Sequence, residues 1–341
     1  MVAITSGKVL VTGASGYIGA WVVKYLVEHN FSVLVATRND EQAAFIENRF
    51  PEYKGKVSHI NVPDIEAENA YDEAVKDVDA IIHCASPVVF TFEDPSEIIN
   101  PAIAGATGIL KSAHKYGSKV KRVLLTSSGV AIHNLDYANA KAGTTFDEAC
   151  ASWNTVALDA KLDKDSSPWL VYNAAKTRAE KAAWDFVSAA RPSFDLVTIL
   201  PTFNWGPFVH KVGALPVFLS TPGVLLSTFP VGDTSGATVG DWVDVRDTAE
   251  LHVLALETPA LGGERLATTN GLFAWQDIYD VLNAAGYDAP GKATKGAGAG
   301  KVNAPTLKAK THKFLPGFKY RSFEESVTDM AAALKEAGLL Q

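Results

Sequence analysis

The 341 residues predict an α/β protein: a doubly wound parallel sheet with helices on both faces, followed by a smaller C-terminal lobe. Three observations lead there. Short apolar runs alternate with stretches of helical period up to about residue 200. The first run ends in glycines spaced three apart that open a helix. Beyond Pro201, Gly and Pro become frequent and the periodicity weakens.

KVLVT (8–12) is a short buried-strand run, and GYIGAWVVKYLVEHN then carries apolar residues at helical spacing as far as Asn30. FSVLVATR (31–38) is a second strand and EQAAFIENRF a second helix. VSHINV, YDEAVKDV and DAIIHCA continue as strand, helix and strand. A helix over IAGATGILKSAHKYG leads to the strand VKRVLLTSS (120–128), and a helix over YNAAKTRAEKAAWDF leads to DLVTILP (195–201). Six strands result, joined by helices as parallel neighbours require. DWVDVRDTAELHVLALE (241–257) reads as a short strand entering a helix, so the chain is expected to return to the main sheet there. Residues 1–200, with a return segment at about 235–258, then form the sheet domain, while 201–234 and 259–341 form a substrate-binding lobe. KATKGAGAGK (292–301) reads as a surface loop, and no fixed-period repeat occurs.

Composition narrows the function. Hydrophobic residues make up 47% and charged residues 20%, as in an ordinary globular protein. The net charge of −7, with no Lys/Arg block, argues against nucleic acid and anionic membranes as partners. No run approaches the ~20 apolar residues of a membrane span, and MVAITSGKVLVTG does not read as a leader, so the expected location is cytoplasmic. Cys84 and Cys150 are too few for a disulfide framework or a metal cluster and are expected as free thiols. His83 and Cys84 sit at the end of a buried run without ligand-spaced partners, so core packing is expected and no metal.

The chemistry starts at TGASGYIG (12–19). Gly13 permits a tight bend, Gly16 lets the backbone approach a pyrophosphate, and Gly19 lets helix and strand pack closely. The turn residues Gly13, Ser15, Gly16, Tyr17 and Ile18 are then the expected cofactor contacts, with helix N-terminal amides facing the anion. This is a dinucleotide-binding, Rossmann-type reading. Where an acidic residue would hold a ribose 2′-hydroxyl, the second strand ends in Thr37 and Arg38, and arginine suits a 2′-phosphate. The cofactor is accordingly expected to be NADP(H), although Asp40 would oppose a phosphate.

YNAAK places Tyr172 and Lys176 one helical turn apart. Beside a nicotinamide, a phenol could protonate the oxygen of a reduced carbonyl, and an ammonium close by would lower the phenol's pKa from about 10. LLTSS puts Ser127 and Ser128 at the C-terminal edge of the sheet, where a hydroxyl could hold the same oxygen.

At these residues the chain resembles an extended short-chain dehydrogenase/reductase: TGASGYIG, DAIIHCASP, LLTSS, YNAAK and ILPTFNWGP follow in family order over about residues 8–207. It is more closely similar to the branch of dihydroflavonol reductases, fungal methylglyoxal or ketone reductases and aldehyde reductases, whose ending FKYRSFEESVTDM resembles. The resemblance implies Ser128, Tyr172 and Lys176 as the catalytic set, with Ser128 preferred over Ser127 by position in the motif, and Ser127, Tyr172 and Lys176 are also expected to contact the cofactor. It also implies Asp64 and Ile65 near the adenine, Ala85 and Ser86 along the cofactor, and Pro201, Thr202 and Phe203 beside the nicotinamide. Branch members often carry a lysine a few residues after the arginine, where this chain has NDEQ.

Among Trp153, Trp169, Phe90, Phe92, Phe203 and Trp205, the residues expected to line an apolar substrate pocket are Phe92 and Phe203. The expected activity is NADPH-dependent reduction of aldehydes or ketones, by a monomer or homodimer whose partner is a small carbonyl compound. Two alternatives share the fold: an NAD-dependent nucleotide-sugar epimerase or dehydratase, and a non-catalytic dinucleotide sensor. Arg38 and the few basic residues of the lobe speak against the first, and a complete Ser/Tyr/Lys set against the second.

Overall fold

Alternation with period two sorts the first strand between two layers. In the computed structural model, which describes residues 3–86, 91–132, 145–146, 152–210, 221–228, 239–289, 306–307 and 309–340, β1 (Lys8–Thr12) sends Val9 and Val11 into one core and Leu10 into the other. The strands that follow are β2 (Ser32–Thr37), β3 (Val57–Asn61), β4 (Ala80–His83), β5 (Arg122–Thr126) and, past the two-residue β6 (Thr145–Phe146), β7 (Asp195–Pro201). With β10 (Arg265–Thr268) they form a seven-stranded sheet in the order β10-β7-β5-β4-β1-β2-β3, every pair parallel. One face is covered by α1 (Tyr17–Glu28) and α7 (Val245–Glu257). The other is covered by α3 (Ser96–Tyr116) and α5 (Pro168–Ala190). The connection from β3 to β4 crosses back over β1, which makes the β1/β4 boundary the switch point where such sheets open a crevice at the strands' C-terminal ends.

All six strands expected from the sequence are present, and β10 is a seventh. RLAT is four residues long and begins with a charge, so it does not announce a buried strand. It pairs with β7, and the buried Arg265 side chain is neutralised by Glu180. The segment expected to rejoin the sheet at 241–257 does so only through α7. Its strand, β9 (Val239–Asp244), lies between β8 (Phe203–Trp205) and β11 (Leu272–Ala274) in a separate three-stranded sheet.

The expected helix at YDEAVKDV is instead a series of turns. Tyr71, Ala74, Val75 and Val78 are buried at helical spacing, and Val75 N–H reaches Tyr71 O at 3.1 Å. The amides of Asp72 and Lys76, however, bond only three residues back. Conversely, α3 begins at Ser96, ahead of the expected start, and runs through Pro101. Pro101 is the sixth residue of the helix, so one backbone bond is missing there and the helix nonetheless continues to Tyr116.

α5 is capped by the Ser167 hydroxyl, which accepts from Leu170 N–H (3.2 Å), and has Pro168 at its first position. Its buried stripe of Ala174, Ala175, Ala179 and Ala183 lets α3 pack closely. A third core gathers Trp205, Trp242, Phe273, Trp275 and Tyr279 with residues of α8 (Trp275–Ala284) and α10 (Phe323–Glu336). Trp205 is therefore a core aromatic, edge-on to Phe273 at 5.3 Å. No described helix is long and apolar enough to cross a membrane. Cys150, Phe90 and the segment 292–301 lie outside the described residues.

Candidate active site

Gly13 and Gly19 of the turn are each required by a contact. Gly13 has φ +68°, and a side chain there would place Cβ 2.7 Å from Ala85 N, against the end of β4. A Cβ on Gly19 would lie 2.2 Å from Gly13 O. Gly16 N–H bonds Gly13 O (3.0 Å) and Ala20 N–H bonds Gly16 O (3.1 Å), closing the bend and starting α1. No side chain caps this helix, and its first turn carries no acid. Its leading amides, at Tyr17, Ile18 and Gly19, are thus unspent donors at the positive end of a helix dipole.

The turn opens into a cavity of about 600 Å³ at the C-terminal ends of the strands. Gly13, Ser15, Gly16, Tyr17 and Ile18 line it, as do Arg38, Ile65, Ala85, Ser86, Ser127, Ser128, Tyr172, Lys176, Pro201, Thr202 and Phe203. Two expected residues are not among its lining. Phe92 packs into the core between the sheet, α3 and α5. Asp64 is exposed, and its carboxylate accepts from Glu66 N–H at 2.8 Å, leaving Ile65 to face the cavity.

Arg38 is exposed at the end of β2. Its backbone N–H donates to Gln42 Oε1 (3.2 Å), and its guanidinium forms no ion pair among the described residues. Asp40, the charge that would oppose a phosphate, accepts from Asn61 Nδ2 at 2.7 Å and does not line the cavity. A free guanidinium, a retracted carboxylate, an uncapped helix N-terminus and a glycine turn with no room for a Cβ at Gly13 and Gly19 together fit a dinucleotide with an extra phosphate.

Ser128, Tyr172 and Lys176 come together from β5 and α5. The Ser128 hydroxyl is hydrogen-bonded to the Tyr172 phenol, and it also caps the following turn, 3.4 Å from Val130 N. Burial raises the Tyr172 pKa above its ordinary 10, and the Ser128 bond lowers it by less. The phenol is pushed up, not down as the neighbouring lysine suggests. Burial pushes Lys176 down to about 8, so it still carries its charge at neutral pH. Trp169, one turn earlier, stacks on Tyr172 with centroids 5.6 Å apart and planes 23° from parallel.

Ser127 also reaches the cavity, but its hydroxyl donates to buried Glu180 (2.7 Å). His83 is a core residue, 2.8 Å from Thr12 Oγ1 and edge-on to Tyr71, with burial holding its pKa down at about 3. Cys84 contributes to the cavity wall, and burial raises its thiol to about 11, so it stays protonated. The sequence does not single out Gln42, Thr126, Asn204 or Val224, and it leaves Trp169 among several aromatics, yet all line the cavity. For Trp169 a signal exists: it sits three residues before Tyr172 on one helix, hence on the same face.

The chain has relatives that match it over nearly its full length. The chain is 32% identical to the NADPH-dependent methylglyoxal reductase GRE2 of Saccharomyces cerevisiae over 96% of its length and 98% of the relative's. It is also 32% identical to aldehyde reductase 2 of Sporidiobolus salmonicolor over 95% of each chain. The crystal structure of yeast Gre2 complexed with NADPH superposes with a TM-score of 0.85, covering 98% of this chain and 100% of that one. The family model for the NAD dependent epimerase/dehydratase family matches residues 9–267, the stretch that holds the glycine turn, Ser128, Tyr172 and Lys176, and the chain belongs to that family.

Proposed function

We propose that the protein is an NADPH-dependent carbonyl reductase that converts aldehydes or ketones to alcohols. The observation that carries this is the meeting of a hydrogen-bonded Ser128–Tyr172 pair and the Lys176 ammonium in the same cavity as the glycine turn. Full-length relatives named as reductases support the class.

The amides at the start of α1 would hold the cofactor's pyrophosphate, and Arg38 its 2′-phosphate. NADPH, when bound, supplies a hydride to the carbonyl carbon. Ser128 Oγ holds the substrate oxygen, and Tyr172 Oη gives it a proton as negative charge develops there. Because burial keeps Tyr172 protonated through neutral pH, the acid form needed for reduction is the resting form. The Lys176 charge stabilises the phenolate left behind and offers donors to ribose hydroxyls. Trp169 and Phe203 give the cavity aromatic walls for an apolar substituent.

The test is NADPH oxidation by the purified protein across a panel of aldehydes and ketones, with the alcohol product quantified. Saturable turnover with one alcohol formed per NADPH is expected. Folded protein that turns over none of them, or that arrives with tightly held NAD, contradicts the proposal. Arg38→Ala separates the coenzyme assignment. A charge-assisted contact is worth about 1.5–3 kcal/mol, so kcat/KM with NADPH falls about 10- to 100-fold while that with NADH stays within about threefold. An unchanged NADPH/NADH ratio removes Arg38 from phosphate recognition.

A further inference from the structure

Directly behind the cavity wall lies a buried charge pair that the reaction as described does not use. Glu180 on α5 is 1% exposed. Its carboxylate accepts from Ser127 Oγ (2.7 Å), Thr198 Oγ1 (2.8 Å), Trp184 Nε1 (3.3 Å) and Arg265 Nε (2.7 Å) and Nη2 (3.1 Å). Arg265, from the outermost strand β10, is 8% exposed. It donates onward to Ser152 O and to Ala131 O (3.4 Å), and its guanidinium lies 3.9 Å over the Trp153 ring. One ion pair thereby ties β7 and β10, the end of β5, α5, the turn after Ser128 and the segment at 152–153 to a single point.

A bland role, holding the fold together, explains this poorly. Buried ion pairs cost desolvation on both sides, and well-packed apolar residues often serve stability as well or better. What charge and directional bonds supply is a fixed geometry. Glu180 sits four residues after Lys176 and eight after Tyr172, so anchoring it to strands β7 and β10 sets the rotation of α5 about its axis. A rotation of ~10° would move a phenol oxygen by about 1 Å, enough to cost on the order of a hundredfold in rate. On the other side, the carboxylate accepts from the hydroxyl of Ser127, the residue next to Ser128.

We infer that Glu180 and Arg265 form a positioning pair: through Ser127 and the pitch of α5 they fix Ser128, Tyr172 and Lys176 relative to one another. This rests on Tyr172 as the proton donor, and the experiment keeps the two apart. Three variants are compared: Ser127→Ala, which cuts the link; Glu180→Leu with Arg265→Met, which replaces the pair by apolar groups; and Glu180→Gln with Arg265→Gln, which keeps hydrogen bonding without charge. Folding is followed by thermal melting. The readouts are kcat, the NADPH dissociation constant, and titration of the Tyr172 phenol near 295 nm, taken as the difference from Tyr172→Phe.

Ser127→Ala is expected to lower kcat about tenfold and the apolar pair about a hundredfold. NADPH affinity stays within about threefold, and the phenol titrates at higher pH as the Ser128 bond is lost. The amide pair recovers most of kcat. Should the apolar pair not fold, Ser127→Ala decides on the same readouts. Folded variants with parental kcat and an unmoved phenol titration overturn the inference. If the parent reduces no carbonyl, the proposed function falls, and the titration, which needs no turnover, still decides whether the pair positions the phenol.

Discussion

Tyr172→Phe lowers kcat for carbonyl reduction about a thousandfold, the middle of the range for losing a positioned general acid, and leaves NADPH affinity within about threefold. The substitution removes one oxygen and keeps the ring that stacks against Trp169, so the cavity wall is preserved. In the proposed mechanism the lost interaction exists only as charge develops on the substrate oxygen, so kcat and kcat/KM are expected to fall together. Initial rates of NADPH oxidation with a saturating ketone read the first number, and quenching of tryptophan fluorescence by NADPH reads the affinity. A variant that reduces carbonyls within about threefold of the parent removes Tyr172 from the proton-donor role.

Gly19→Ala abolishes coenzyme binding at accessible concentrations, where a glycine inside a helix would ordinarily gain ~1 kcal/mol by the same change. The new methyl would sit 2.2 Å from Gly13 O and 2.8 Å from Gly13 C, both backbone atoms held by the bend. The turn has to open, and the amides that face the cavity lose their aim. An affinity loss of at least about a hundredfold is expected, with a fall in Tm from overpacking worth about 1–3 kcal/mol. Gly108→Ala is the internal control. It lies in α3 with nothing within 4 Å of the added Cβ, so it should raise stability by up to ~1 kcal/mol and leave NADPH binding unchanged. Equal behaviour of the two variants would mean that Gly19 is not a packing glycine.

The parts of this molecule that local chemistry dictates were legible in the sequence. β7 spans 195–201 as its apolar run implies, and the glycines at 13, 16 and 19 bend where their spacing requires. Ser128, Tyr172 and Lys176 line one cavity because strand ends and the α5 face converge at the switch point. What stayed hidden depends on contacts between distant segments. β10 opens with Arg265, which reads as a surface charge, and the Glu180 that pairs with it inside lies 85 residues away. Phe92 comes after a strand that ends at the cavity, where periodicity no longer says which way a side chain faces, and it packs against the core.

The phenol pKa shows a similar limit. An i,i+4 lysine argues for a lowered value, whereas the burial that raises it comes from the packed walls around Tyr172. Ser127 and Ser128 are indistinguishable as letters, and the fold separates them by giving one hydroxyl to Glu180 and the other to Tyr172.

In the proposed mechanism that upward push on the phenol makes opposite demands on the two directions of the reaction. Reduction uses the protonated form, which is present throughout below the raised pKa, while alcohol oxidation needs the phenolate, a minor species that grows tenfold per pH unit. The most direct measurement is therefore kcat for NADP-dependent oxidation of the product alcohol from about pH 5 to about pH 7, below the value of about 8 at which Lys176 gives up its charge. It should rise with a slope near one in log kcat against pH, and the slope should vanish in Tyr172→Phe. A flat profile in the parent, or the same slope in the variant, contradicts the assignment of the proton to Tyr172.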